Sequence, residues 1–151
     1  FYILSQETKC ALMADVTQSL ESLETIMKDS LMAFGTDALY TGEMAHPRSG
    51  NATIHFLSEY VYKRKTLKLE EAIEKMTSKV ASRLNLLNVG QIKEGFIANL
   101  VVLDPLNLKD NSSLKNPYKT CDGIVHILVN GDFALKNCVL TNRMRGRVLM
   151  A

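Results

Sequence analysis

The sequence predicts an α/β segment followed by a β-rich one. Three observations carry this prediction. An amphipathic helix pattern over residues 17–28 runs into a wholly apolar stretch, Leu31-Met32-Ala33-Phe34, the order of a helix feeding a buried parallel strand. Two further helical patterns follow and end near Leu84. From Asn88 onward Gly90, Gly95, Pro105, Pro117, Gly123 and Gly131 punctuate short β-rich runs, and Asn130-Gly131 between two of them is a strong hairpin signal. The change in character sets a domain boundary near Leu87, dividing the chain into residues 1–87 and 88–151.

Taken in order, Phe1 to Leu4 is a short apolar strand candidate. In the first helix, Leu20, Leu23, Ile26 and Met27 share one face, with Glu21, Glu24 and Lys28 opposite. Asp29-Ser30 ends it, and Leu31 to Phe34 is expected as the buried strand. Residues 41–51 are rich in Gly, Pro, Ser and Asn and read as a loop. Thr53 is placed to cap a helix reaching Arg64, with Ile54, Leu57, Tyr60 and Val61 on its apolar face. A third helix opens at Lys68-Leu69, and Ala72, Ile73, Met76, Val80 and Leu84 form its stripe. There Glu70, Glu71 and Glu74 precede Lys75, which suits the helix dipole. Strands are expected at Asn99–Leu103, Ile124–Val129 and Phe133–Leu135.

Composition narrows the function classes. With 46% hydrophobic residues, 151 residues are enough to bury a core, and 23% charged residues exclude wholesale disorder. A net charge of +2 gives no reason to expect a nucleic-acid partner. The basic clusters Lys63-Arg64-Lys65 and Arg143-Met144-Arg145-Gly146-Arg147 read as solvated surface. Cys10, Cys121 and Cys138 are odd in number and lack CxxC spacing, which argues against a disulfide framework or zinc knuckle. Reduced thiols suit a cytoplasmic protein. No apolar run approaches the roughly twenty residues of a spanning helix, so no membrane partner is expected. A chain that opens on Phe-Tyr-Ile-Leu without an initiator Met reads as a piece of a longer one.

The chemistry gathers at Asp37, His46 and Arg48. Asp37 lies just past the apolar run, where a parallel strand delivers side chains to a site at its C-terminal end, and a carboxylate there can shuttle a proton. The alternative is an Asp that merely caps a loop. Arg48 offers a planar, two-toothed grip on a carboxylate, or else pairs on the surface with Glu43. His46 precedes Pro47 in the same loop. His55 and His126 lack a partner at ligand spacing and read as structural, and no cysteine has a neighbouring His to activate it.

Several stretches together carry a family resemblance. They are Ser22-Leu23-Glu24-Thr25-Ile26-Met27-Lys28 leading to Phe34-Gly35-Thr36-Asp37, then His46-Pro47-Arg48, then the Leu69-Glu70-Glu71-Ala72 helix ending at Met76-Thr77. The segment from Gly90 to Asp104 and Val129-Asn130-Gly131 complete the set. The chain resembles the C-terminal part of the N-acyl-D-amino-acid deacylases, or D-aminoacylases, of the amidohydrolase superfamily. The resemblance implies the C-terminal remnant of a TIM-type barrel followed by part of a small β-sandwich. It implies zinc in the full-length enzyme and an N-acyl-D-amino acid as substrate, hydrolysed to a carboxylate and a D-amino acid. Asp37 would act as general base and then acid, Arg48 would hold the substrate's α-carboxylate, and His46 would join the substrate site. Asp37 is the single candidate metal donor, since the other ligands of these enzymes come from an N-terminal part. The chain by itself is therefore expected to be inactive, to need that N-terminal part as a partner, and to self-associate. Asn99 stands where the family usually has Asp, and Thr36 where Ser is common; residues 7–20 exceed the usual helix entry. Two alternatives are a fragment of a dihydroorotase- or hydantoinase-like cyclic amide hydrolase, which would share Asp37, and a non-catalytic interaction domain of the same fold.

Overall fold

The computed structural model describes residues 18–39, 45–142 and 145–146. The strand expected at Phe1 to Leu4 and Cys10 lie outside these residues. Helix α1 spans Leu20–Lys28. It begins there because the Ser19 hydroxyl accepts the Ser22 N–H at 3.1 Å, with Glu21 in the first turn and Lys28 in the last, matching the dipole. Its apolar face is narrower than expected: Met27 is buried, whereas Leu20 and Ile26 are exposed.

Leu31 to Phe34 is not a strand. A parallel strand takes its hydrogen bonds from neighbouring strands, and none of the described residues offers one here. The segment bonds instead to the helices that follow. Phe34 N–H donates to the Lys75 carbonyl at 3.0 Å. Lys75 Nζ, Lys79 Nζ and Arg83 Nη2 donate to the carbonyls of Asp29, Ser30 and Leu31 at 2.6, 2.5 and 3.0 Å.

Helix α2 spans Arg48–His55 and continues as a π-helix over Phe56–Lys63. The start expected at Thr53 is thus corrected to Arg48, and the loop ends sooner than its composition suggested. Pro47, at φ −51° and ψ −31°, already has the backbone of a first helical turn, so the Pro that reads as a loop signal opens the helix. The π-helical turns keep Phe56, Leu57, Tyr60 and Val61 on one buried face. Helix α3 spans Leu69–Met76 and α4 spans Ser78–Arg83. One helix was expected here; Thr77, at φ −128° and ψ −89°, separates two, and its hydroxyl donates to the Ile73 carbonyl at 2.6 Å. Ala72 and Ala81 are buried while Ile73 and Leu84 are exposed, so the buried stripe is narrower than expected.

The core consists of Met27, Phe56, Leu57, Tyr60, Val61, Leu67 and Ala72, with Phe34 packed against it and its ring 4.7 Å from that of Phe56. Leu103 and Leu108, from the far side of the expected boundary, pack on the same cluster. The C-terminal strands are β1 (Leu100–Leu103), β2 (Ile124–Val129), β3 (Asp132–Lys136) and β4 (Val139–Leu140), antiparallel in the order β1-β2-β3-β4. The Asn130-Gly131 turn joins β2 to β3 with φ of +52° and +83°, the double positive value a two-residue hairpin needs. Asn99 holds that turn through its side-chain oxygen, which accepts the Asn130 N–H at 2.8 Å, a bond an Asp there also makes.

Candidate active site

Asp37, His46 and Arg48 come together at the N-terminal end of α2. Arg48 Nη2 lies 2.8 Å from Asp37 Oδ2, and Arg48 Nε donates to the Asp37 backbone carbonyl at 3.0 Å. One guanidinium thus grips both the carboxylate and the main chain of Asp37. The backbone at Asp37 has φ +47°, a left-handed conformation that Asp tolerates better than most residues and that turns the chain toward the helix. Both side chains are open to solvent, 74% exposed for Asp37 and 43% for Arg48, so the pair contributes at most about 1 kcal/mol of stability. Its importance is positional.

His46 touches the helix rather than the ion pair. Its Nδ1 accepts the Arg48 backbone N–H at 3.1 Å, satisfying one of the first-turn donors a helix leaves open. With Nδ1 as acceptor, the neutral ring carries its proton on Nε2. The loop beyond Asp37 is pinned to the same turn by Ser49. The Ser49 hydroxyl, 4% exposed, donates to the Leu39 carbonyl at 2.7 Å and accepts the Leu39 N–H at 3.3 Å. Glu43, the alternative partner considered for Arg48, lies outside the described residues.

The side chains expected to be structural have local partners. His126 Nδ1 accepts the Asn137 N–H at 3.1 Å, and its ring meets Phe133 edge-on. His55 Nδ1 lies 3.1 Å from Asp110 Oδ2. Cys121 and Cys138 are free thiols, and burial pushes the Cys121 thiol up, away from nucleophilic use. The first basic cluster is engaged: Glu59 accepts from Lys63 at 2.9 Å and from Arg64 at 2.6 Å. The hydrogen bond from Lys63 leads the effects that hold the Glu59 carboxyl below its ordinary range.

Residue-type reasoning missed Ser49, Asn51 and Asp110. The available signal was a buried-type spacing: Asn51 and His55, four apart, share a face of α2, and Asp110-x-Ser112 has the pattern of a side-chain turn. Among the described residues no group of three or more His, Cys, Asp or Glu side chains is placed to hold a metal ion. Asp37 supplies one carboxylate, and one carboxylate is not a metal site. No helix among the described residues is long and apolar enough to cross a membrane.

The amidohydrolase family model matches residues 11–134. The chain belongs to the amidohydrolase family. Within it, the chain is 34% identical over 115 residues to the D-aminoacylase of Alcaligenes xylosoxydans xylosoxydans, covering 76% of this chain and 24% of that enzyme. A solved D-aminoacylase with a binuclear metal center superimposes with a TM-score of 0.80 at 30% identity, over 86% of this chain and 27% of that one. The N-acyl-D-glutamate deacylase of Bordetella bronchiseptica, solved with zinc and a phosphonate mimic of the tetrahedral intermediate, gives 0.72 at 29% identity, over 76% and 24%. This amidohydrolase chain therefore spans about a quarter of the length of the relatives it matches.

Proposed function

We propose that the chain is the C-terminal portion of a metal-dependent deacylase that hydrolyses N-acyl-D-amino acids to a carboxylate and a free D-amino acid. The observation that carries this reading is the Asp37–Arg48 contact at the start of α2, which sets a proton-carrying carboxylate beside a carboxylate-binding guanidinium. An amide hydrolase acting on amino-acid derivatives needs both groups within one substrate length. The likeness to deacylases of D-amino-acid derivatives supplies the substrate class.

In this reading Arg48 exchanges its bond to Asp37 Oδ2 for the substrate's α-carboxylate, which frees that oxygen as the substrate arrives. Asp37 then takes a proton from the attacking water and delivers it to the departing nitrogen. His46 stands at the rim, its Nε2–H available to the same carboxylate. Zinc, which polarises the amide and activates water in such enzymes, is assigned to the longer protein because the described residues do not complete a ligand set. The proposal extends to architecture: residues 1–87 are C-terminal elements of a TIM-type barrel and residues 88–151 the C-terminal part of a β-sandwich, to which the sheet β1–β4 belongs. Free thiols suit a cytoplasmic setting. Leu87, Ile92 and Leu106, each more than four-fifths exposed, favour self-association when the N-terminal part is missing.

The test uses the zinc-loaded longer protein carrying this sequence, with N-acetyl-D- and N-acetyl-L-amino acids as substrates. D-selective release of amino acid is expected. Asp37→Asn lowers kcat by about 10²-fold or more, and Arg48→Ala raises KM by about tenfold or more. Absence of D-selective release overturns the reading.

A further inference from the structure

Helix α2 carries the guanidinium of Arg48 at one end, but nothing in its first turn is apolar enough to fix it. Further along, Ile54, Phe56 and Leu57 anchor the helix in apolar contacts, and its first turn is held by a polar contact three residues on, on the face that Arg48 shares. Asn51, 6% exposed, donates from Nδ2 to Asp110 Oδ1 at 2.9 Å and to the Lys119 carbonyl at 2.8 Å. Asp110 is itself fixed by the Ser112 N–H at 2.8 Å and the Ser112 hydroxyl at 2.7 Å, both to Oδ1. Its other oxygen faces His55 Nδ1, one helical turn beyond Asn51. Residues 51 and 110 are 59 apart in sequence, so this contact is made only in the folded chain.

We infer that Asn51 and Asp110 form a latch that positions Arg48. Two contacts to one carboxylate at successive turns, from Asn51 and His55, fix both the rotation and the height of α2 against the segment from Lys109 to Asp122. Arg48 lies three residues before Asn51, so rotating the helix swings the guanidinium away from Asp37. Ser49 ties the Asp37 loop to the same turn, and the latch therefore orients acid and clamp together. Asn51 and Asp110 are positioning residues: they touch neither Asp37 nor the guanidinium. The inference rests on Arg48 being the carboxylate clamp.

The first measurement needs no activity. In this chain, exchange of the Arg48 Nε–H with solvent, followed by NMR at low temperature, reports its bond to the Asp37 carbonyl. Asn51→Ala and Asp110→Ala speed that exchange by about tenfold. Asp110→Asn restores protection, because its carbonyl still accepts from Asn51 and Ser112 while its amide donates to His55. Thr66→Val removes a distant hydrogen bond to Glu24 and serves as a control that lowers stability without changing Arg48 exchange. Exchange unchanged in both alanine variants, or increased equally in Thr66→Val, overturns the latch. In the zinc-loaded longer protein, Asp110→Ala raises KM by about tenfold with kcat nearly unchanged, and adds nothing in an Arg48→Ala background. If Arg48→Ala alone leaves KM unchanged, the clamp reading fails, while the exchange experiment still decides the latch.

Discussion

Phe56 is the side chain on which the helical half depends most, and replacing it by Ala provides a quantitative test. It is 2% exposed and sits between Phe34, ring centroids 4.7 Å apart, and Tyr60, 6.2 Å away. Truncating a buried Phe costs about 3–5 kcal/mol through lost transfer energy and the cavity left behind, and each tilted ring pair adds about 0.5–1.5 kcal/mol. The ring contacts are part of what the truncation measures, so about 4 kcal/mol is the expected loss. For a chain of this size that lowers Tm by roughly 10 °C. Urea denaturation followed by circular dichroism gives the free energy, with an unchanged slope expected because the unfolded chain exposes much the same surface. Phe56→Leu, which refills most of the cavity, loses about 1.5 kcal/mol or less. A loss below about 1.5 kcal/mol for Phe56→Ala at unchanged slope refutes the placement of this ring at the centre of the core. The consequence reaches the site, because Phe34 lies three residues before Asp37 and Phe56 follows the helix of Arg48.

Three further outcomes are expected. Gly131→Ala costs about 1 kcal/mol, since its φ of +83° is strained for Ala but nothing crowds the new methyl; Gly123→Ala costs clearly more, because at φ +87° its Cβ meets Leu108 backbone atoms at 2.6–2.7 Å, and thermal melts of the two variants rank them. Ala72, fully buried, has no room to grow, so Ala72→Leu loses about 1–3 kcal/mol in the same urea assay. Burial raises the Asp110 carboxyl, but bonds from Ser112 and Asn51 and the charge of His55 outweigh it and hold the carboxyl below its ordinary range. A carboxyl depressed in the fold contributes stability above its unfolded value, near pH 4, and loses it as pH falls through the folded value. Unfolding curves of the native chain between pH 6 and pH 2 therefore fall more steeply at the acid end than those of Asp110→Asn; parallel curves contradict this assignment.

What could be read from the sequence depended on how local the cause was. The Asn130-Gly131 hairpin was legible because both residues take positive φ from their own backbone preference. Helices α1 and α3 were legible from their periodicity and charge order, with boundaries moved by a single hydroxyl at Ser19 and a single distorted residue at Thr77. Pro47 misled, since proline reads equally as a loop residue and as the opening of a helix. Leu31 to Phe34 has the composition of a buried strand, yet a strand exists only where neighbouring strands exchange bonds with it; here the Leu31 carbonyl accepts from Arg83 and the Phe34 N–H donates to the Lys75 carbonyl instead.

The candidate site divides in the same way. Asp37, His46 and Arg48 fall within a dozen residues, so their chemistry could be proposed from residue type, and the family could be recognised from the stretches around them. Their arrangement could not. That Arg48 grips Asp37 at both its carboxylate and its carbonyl, that Ser49 closes the loop onto α2, and that Asn51 reaches Asp110 are decided by contacts between distant segments. By itself the sequence determined the helices with strong local patterns, the hairpin and which side chains are candidates for the site, because those follow from backbone preference and side-chain chemistry. The tertiary structure alone decided which groups meet, because a hydrogen bond across 59 residues has no trace in the periodicity of either segment that makes it.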